Sequence, residues 1–161
     1  MTETGAQASP FTLPAIDGRH CSLPQDSQNC PTLLVFFKST CGTCDLAFPY
    51  INRLKDTYPE GWRLWAIAQD PPETAREYAR RHGIGYPVLV DAPAYQVSKE
   101  YDPPATPALV LIDAAGAVAY TTHGFAKDDL NELSRRIAAY TGAEARIVAP
   151  PDDGNPSFKP G

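Results

Sequence analysis

From Leu33 the chain reads Leu33-Leu34-Val35-Phe36-Phe37-Lys38-Ser39-Thr40-Cys41-Gly42-Thr43-Cys44. Five consecutive apolar residues, mostly branched or aromatic, predict a buried strand, and the two cysteines fall where that strand hands over to a helix. Two thiols at this spacing can face each other. With a helix starting near Cys41, its sulfur sits over unpaired N–H groups and the positive end of the helix dipole, which favour a thiolate. Cys41 is therefore the expected nucleophile. Cys44, one turn further in and turned toward the packed side, is expected to resolve a mixed disulfide rather than start one. Lys38 adds a nearby positive charge, and Gly42 lets a partner's backbone come close. A structural zinc would need a second Cys or His pair at similar spacing, and His20, His82 and His123 stand singly, so neither a metal site nor a cofactor is expected.

A chain of 161 residues with 43% hydrophobic composition has enough material for one domain with a real core. A formal charge of −5, with 14 Lys and Arg spread without a basic run, argues against a nucleic-acid or anionic-membrane surface. The opening ten residues lack a basic segment followed by an apolar run, and no apolar stretch is long enough to span a bilayer. A cytoplasmic protein is expected on that basis, a setting in which a catalytic dithiol is natural and a structural disulfide between Cys21 and Cys30 is not. These two are expected to be ordinary, partly buried residues. No exposed apolar stripe announces an interface, so a monomer is expected.

Along the chain, Phe11 to Leu23 predicts a hairpin turning at Asp17-Gly18, laid as an extra edge on the sheet. After the cysteines, Ala47, Ile51, Leu54 and Tyr58 recur at helical spacing, with Pro49 interrupting the ladder. Trp62 to Ala68 predicts the next strand, with Trp62 and Trp65 as packing residues. Asp70-Pro71-Pro72-Glu73 predicts a helix start with Asp70 as its cap, running to about His82, itself expected on the surface at the helix end. Tyr86 to Val90 predicts a short strand, and Asp91-Ala92-Pro93 opens a short helix through Tyr101. Thr106-Pro107 precedes the apolar run Ala108 to Ile112, so a proline stands at the mouth of a buried strand and is a candidate for a cis bond. A hairpin into Ala117 to Thr121 follows. A last helix carries Leu130, Leu133, Ile137 and Tyr140 on one stripe and stops at Gly142. The expected organisation is a flexible lead-in over 1–7, one domain over 8–142, and a Pro-rich mobile tail over 143–161.

A strand, a Cys-x-x-Cys at the next helix start, Pro49 within that helix, then Thr106-Pro107 before a hairpin and final helix: this order resembles the thioredoxin superfamily. The N-terminal hairpin and the extra helix and strand between Cys44 and Pro107 look like the TlpA-type, ResA-like thiol–disulfide oxidoreductases and their redoxin relatives. The resemblance implies an α/β thioredoxin-like fold, a central mixed sheet flanked by helices. It further implies Cys41 as nucleophile, Cys44 as resolving thiol, Pro107 as a cis-proline packed against them, and Thr106 as the residue whose backbone pairs with a substrate strand, beside Gly42 and Thr43. Three positions depart from the pattern. Thr40 replaces the tryptophan of thioredoxins, Val35 their buried aspartate, and Ala47 the glutamate of many ResA-like members, so both usual proton acceptors for Cys44 are missing. Asp45 is expected to be an exposed first-turn carboxylate.

The function this implies is dithiol–disulfide exchange, in the direction of reducing disulfide-containing proteins or small molecules, with an electron donor the sequence does not name. A peroxiredoxin-like thiol peroxidase is the first alternative. Its Pro-x-x-x-Thr/Ser-x-x-Cys signature finds Leu34 and Lys38 in the required slots before Cys41, and Phe37 and Cys41 before Cys44, so neither cysteine fits. A non-catalytic binding module or metal chaperone is the second, and His123 lacks a supporting pattern for it.

Overall fold

The computed structural model describes residues 1–161. Its centre is β3 (Thr32–Phe37), every residue of which is buried. It pairs in parallel with β4 (Arg63–Ala68) on one side and antiparallel with β6 (Ala108–Ile112) on the other. Beyond these lie β5 (Val88–Val90), parallel to β4, and β7 (Val118–His123), antiparallel to β6, giving a five-stranded mixed sheet in the order β5-β4-β3-β6-β7.

A strand in the middle of a sheet covered on both faces favours apolar residues along its length, and this explains the unbroken run at Leu33 to Phe37. Leu33, Val35 and Phe37 face one core with α1 (Gly42–Thr57), α2 (Pro72–Arg81) and α4 (Lys127–Thr141). Leu34 and Phe36 face a second core containing Val97 and Tyr101 of α3 (Gln96–Tyr101), together with Leu13 and Leu23. The last two belong to the hairpin of β1 (Phe11–Pro14) and β2 (His20–Leu23), followed by a single 3-10 turn at Gln25–Ser27. The hairpin is not an added edge of the main sheet. It forms its own two-stranded sheet across the second face, tied to β5 by an Ala15–Leu89 bridge, with Phe11 edge-on to Trp65 and Tyr101. Trp62 and Trp65 are buried packing residues.

Two local expectations change. Asp70 does not cap α2: the capping position belongs to Pro71, with no side-chain bond to the helix, because Asp70 is engaged elsewhere. Asp91 instead serves α3, accepting from the N–H groups of Val97 (3.1 Å) and Ser98 (2.7 Å). His82 ends α2 as expected but is mostly covered, stacked on Tyr78 with ring centroids 4.1 Å apart. An apolar ring surface gains more from this aromatic contact than from solvent.

Both ends of the chain lie against the domain. The Gly5 N–H donates to Val118 O and Gln7 bridges Ala117. After α4 ends at Gly142 in the left-handed region, the chain turns back. Val148 and Ala149 are buried against the α-helical face, their N–H groups donating to the Asn131 side-chain oxygen. The short β9 (Phe158–Lys159) then pairs antiparallel with β8 (Phe125–Ala126).

Candidate active site

β3 ends at Phe37, and four residues carry the chain to the start of α1. This connection is fixed at both ends. The Ser39 N–H and hydroxyl donate to the two oxygens of Asp70 at 2.8 and 2.7 Å, and the Cys41 N–H donates to Lys38 O at 3.2 Å. Asp70 reaches this loop because it leaves the end of β4, the strand beside β3. The Lys38 side chain is exposed, so its backbone rather than its charge serves the loop.

Cys41 is the N-cap residue of α1, in extended conformation, and its sulfur accepts the Cys44 N–H at 3.1 Å. One of the helix's orphan donors is thus satisfied by the Cys41 sulfur. The Cys41 thiol in turn donates to Thr106 O at 3.2 Å. Thr106 is carried there by the loop entering β6, the other neighbour of β3; the Thr106–Pro107 bond is cis, and Pro107 O accepts the Gly124 N–H at 2.8 Å. Cys41 is 8% exposed and Cys44 wholly buried. Burial pushes the Cys44 thiol well above the ordinary thiol range, and its interaction with Cys41 pushes it further the same way. Both effects favour the neutral Cys44 thiol.

The structure brings Cys41, Cys44 and Thr106 together. Gly42 is exposed at the same helix start, whereas Thr43 is buried, its hydroxyl donating to Pro160 O at 2.7 Å. Val35 and Ala47 share the core with Cys44 and bring no carboxylate to it. Asp45 is half-exposed, with Oδ1 accepting from the Tyr78 hydroxyl at 2.8 Å and lying 3.4 Å from His82 Nε2. Cys21 and Cys30 are free, partly buried thiols. No group of three or more His, Cys, Asp or Glu residues is placed to hold a metal ion, and no helix is long and apolar enough to cross a membrane.

Two parts of the site carry no signal in the sequence. Asp70 has a local role so plausible, a cap before two prolines, that its long-range partner Ser39 left no trace. The segment from Ser157 to Gly161 has no periodicity at all, and it reaches the site through backbone atoms.

The chain is similar to known proteins over most of its length. The ResA thiol-disulfide oxidoreductase of Bacillus thuringiensis subsp. konkukian is 27% identical over 138 residues, covering 84% of this chain and 79% of its own. The methylamine utilization protein MauD of Paracoccus versutus is 31% identical over 120 residues, 72% of this chain and 56% of that protein. Among solved structures, a putative thiol:disulfide interchange protein DsbE from Chlorobium tepidum superposes with a TM-score of 0.79 at 28% identity, covering 88% of this chain and 100% of the other. A putative protein disulfide isomerase from Bacteroides thetaiotaomicron, at 24% identity and TM-score 0.80, covers 88% and 92% and shares the fold. The fold is thioredoxin-like, and the AhpC/TSA family model matches residues 4–121, most of the sheet and the whole Cys41–Cys44 region, so the chain belongs to the AhpC/TSA family.

Proposed function

We propose that this protein is a thiol–disulfide oxidoreductase working through the Cys41–Cys44 dithiol. The observation that carries the reading is the placement of the Cys41 sulfur. It sits at the N-cap of α1, accepts the Cys44 N–H, and touches Thr106 O at the loop entering β6. The thioredoxin-like fold and the names of the relatives support the same class of chemistry.

The reaction runs in two exchanges. The Cys41 thiolate attacks one sulfur of a substrate disulfide; a mixed disulfide forms and the other substrate sulfur leaves as a thiolate that takes up a proton. Cys44 then loses its proton and attacks Cys41 Sγ, releasing the second substrate thiol and leaving a Cys41–Cys44 disulfide. The substrate gains two electrons and the protein loses two, which a thiol-type electron donor must restore. Burial of Cys44 suits the second step, since a neutral thiol does not compete for the incoming disulfide. Thr106, Pro107, Gly42 and Thr43 form the surface on which a substrate strand docks, with main-chain hydrogen bonds supplying most of the affinity. The substrates are disulfide-containing proteins or small disulfides. Reduction in the cytosol is the direction this reading assigns.

Trapping tests it. Cys44→Ser, incubated with a disulfide-bonded protein such as insulin, is expected to accumulate a dithiothreitol-sensitive adduct that peptide mass mapping places on Cys41, and Cys41→Ser to form none. Absence of any Cys41 adduct across a range of protein and small disulfides would sink the proposal.

A further inference from the structure

The five residues Ser157-Phe158-Lys159-Pro160-Gly161 run past Gly42 and Thr43, the residues between the two cysteines, to the Thr106 loop. Their path is set at every step. Ser157 O accepts the Lys127 N–H at 2.9 Å, Phe158 pairs with Ala126 and Lys159 with Phe125, and Pro160 O accepts the Thr43 hydroxyl at 2.7 Å. Gly161 passes so close to the Thr106 loop that a Cβ on it would stand 2.5 Å from Thr106 O and 2.8 Å from Ala105 Cβ. The Lys159 ammonium lies over Gly42, 3.7 Å from where a Cβ there would be. The segment thus runs extended between Gly124–Ala126 on one wall and Thr106 with the start of α1 on the other.

The approach to this crossing is anchored. Lys127, whose side chain is 4% exposed, donates to Asp153 Oδ1 at 2.6 Å and to Asn155 O at 3.0 Å. Tyr50 also donates to Asp153 and accepts from the Asn155 side-chain amide at 2.8 Å. The crossing itself is lightly held. A ladder of two residue pairs is a marginal element in water, and Phe158 is left largely in solvent. An anchored stem with a weak tip is the arrangement of a cover that can lift without the domain unfolding.

We propose that residues 157–161 are an intramolecular cap, seated where an extended substrate strand would dock and displaced when one does. Cys41 is 8% exposed with residues 157–161 in place, which limits the approach of a second sulfur. The partner that displaces the cap is an extended peptide with a glycine where Gly161 stands, since any Cβ there meets Thr106 O. The substrate half of this inference rests on the dithiol reading above; the covering of Cys41 does not.

The test uses the full chain with Cys21→Ser, Cys30→Ser and Cys44→Ser, so that Cys41 is the one thiol, and follows its alkylation by iodoacetamide by mass spectrometry. Two substitutions loosen the cap by unrelated means. Thr43→Val removes the bond to Pro160, and Gly161→Val forces the tip off Thr106. Thr43→Val is expected to speed Cys41 alkylation about fivefold, the factor set by one net hydrogen bond, Gly161→Val to speed it through the clash, and both to speed hydrogen exchange at the Lys127 amide that Ser157 O now protects. Rates within about twofold of the parent in both variants, or a rise in only one of them, would overturn the cap. Iodoacetamide needs no exchange chemistry, so failure here leaves the oxidoreductase reading standing. Failure of mixed-disulfide trapping leaves the cap standing.

Discussion

Replacing Asp70 by alanine removes both bonds that hold the loop leading into Cys41. The carboxylate accepts the Ser39 N–H at 2.8 Å and the Ser39 hydroxyl at 2.7 Å, and Asp70 is 9% exposed, so water replaces it poorly. Hydrogen bonds to a charged group contribute about 1.5–3 kcal/mol each, and since solvent reaches part of Ser39 the pair is expected to be worth about 3 kcal/mol rather than the full sum. At a urea dependence of about 2 kcal/mol per molar, the unfolding midpoint falls by about 1.5 M. Asp70→Asn keeps one acceptor oxygen and should lose about half as much. The assay is urea unfolding followed by tryptophan fluorescence, because Trp62 and Trp65 are both buried beside the sheet that Asp70 leaves. A midpoint for Asp70→Ala within about 0.2 M of the parent would refute the claim that this carboxylate ties β4 to the cysteine loop.

Two further outcomes concern titration. The Lys127 ammonium and the Tyr50 hydroxyl hold the Asp153 carboxyl well below the ordinary carboxylate range. Its contribution to holding the tail is complete above the unfolded value of about 3.9 and is lost as pH falls through the depressed folded value. The Asn155 amide, which donates to Asp153 Oδ1, should therefore keep its chemical shift down to about pH 4 and change only below it; a midpoint at or above that value would refute the pairing. At pH 8 in the wild-type chain, iodoacetamide is expected to label Cys41 before Cys44, whose buried thiol stays protonated, and equal or faster labelling of Cys44 would contradict its assignment as resolving thiol.

The parts of the fold legible from the sequence are those where one physical requirement acts on neighbouring residues. Leu33 to Phe37 of β3 are all apolar because the strand is buried on both faces, and the cysteines follow a few residues later, so the strand, the helix start and the two thiols stand out together. α4 shows its stripe through Leu130, Leu133 and Ile137, and Gly142 ends it in the left-handed region that glycine favours. What was not legible depends on contacts between distant segments. Asp70 could satisfy a local rule or a remote loop, and only the pairing of β3 with β4 decides for Ser39. His82 reads from the sequence as a surface residue at a helix end because nothing local announces Tyr78 as a stacking partner. The tail binds through isolated charges and backbone oxygens, as in Lys127–Asp153 and Thr43–Pro160, and such contacts impose no periodicity on a sequence.

The central claim is that Cys41 and Cys44 form one reversible two-electron couple. Its most direct test is equilibration of the full chain against glutathione buffers of graded poise, with acid quench, thiol trapping and peptide mapping. The account predicts a single transition linking Cys41 to Cys44, absent in Cys41→Ser, with a potential at or below the cytosolic glutathione poise of roughly −220 to −320 mV for a reductase. Failure of the two thiols to pair at any poise would contradict the account outright. A couple near about −120 mV would keep the chemistry but reverse its direction to oxidation.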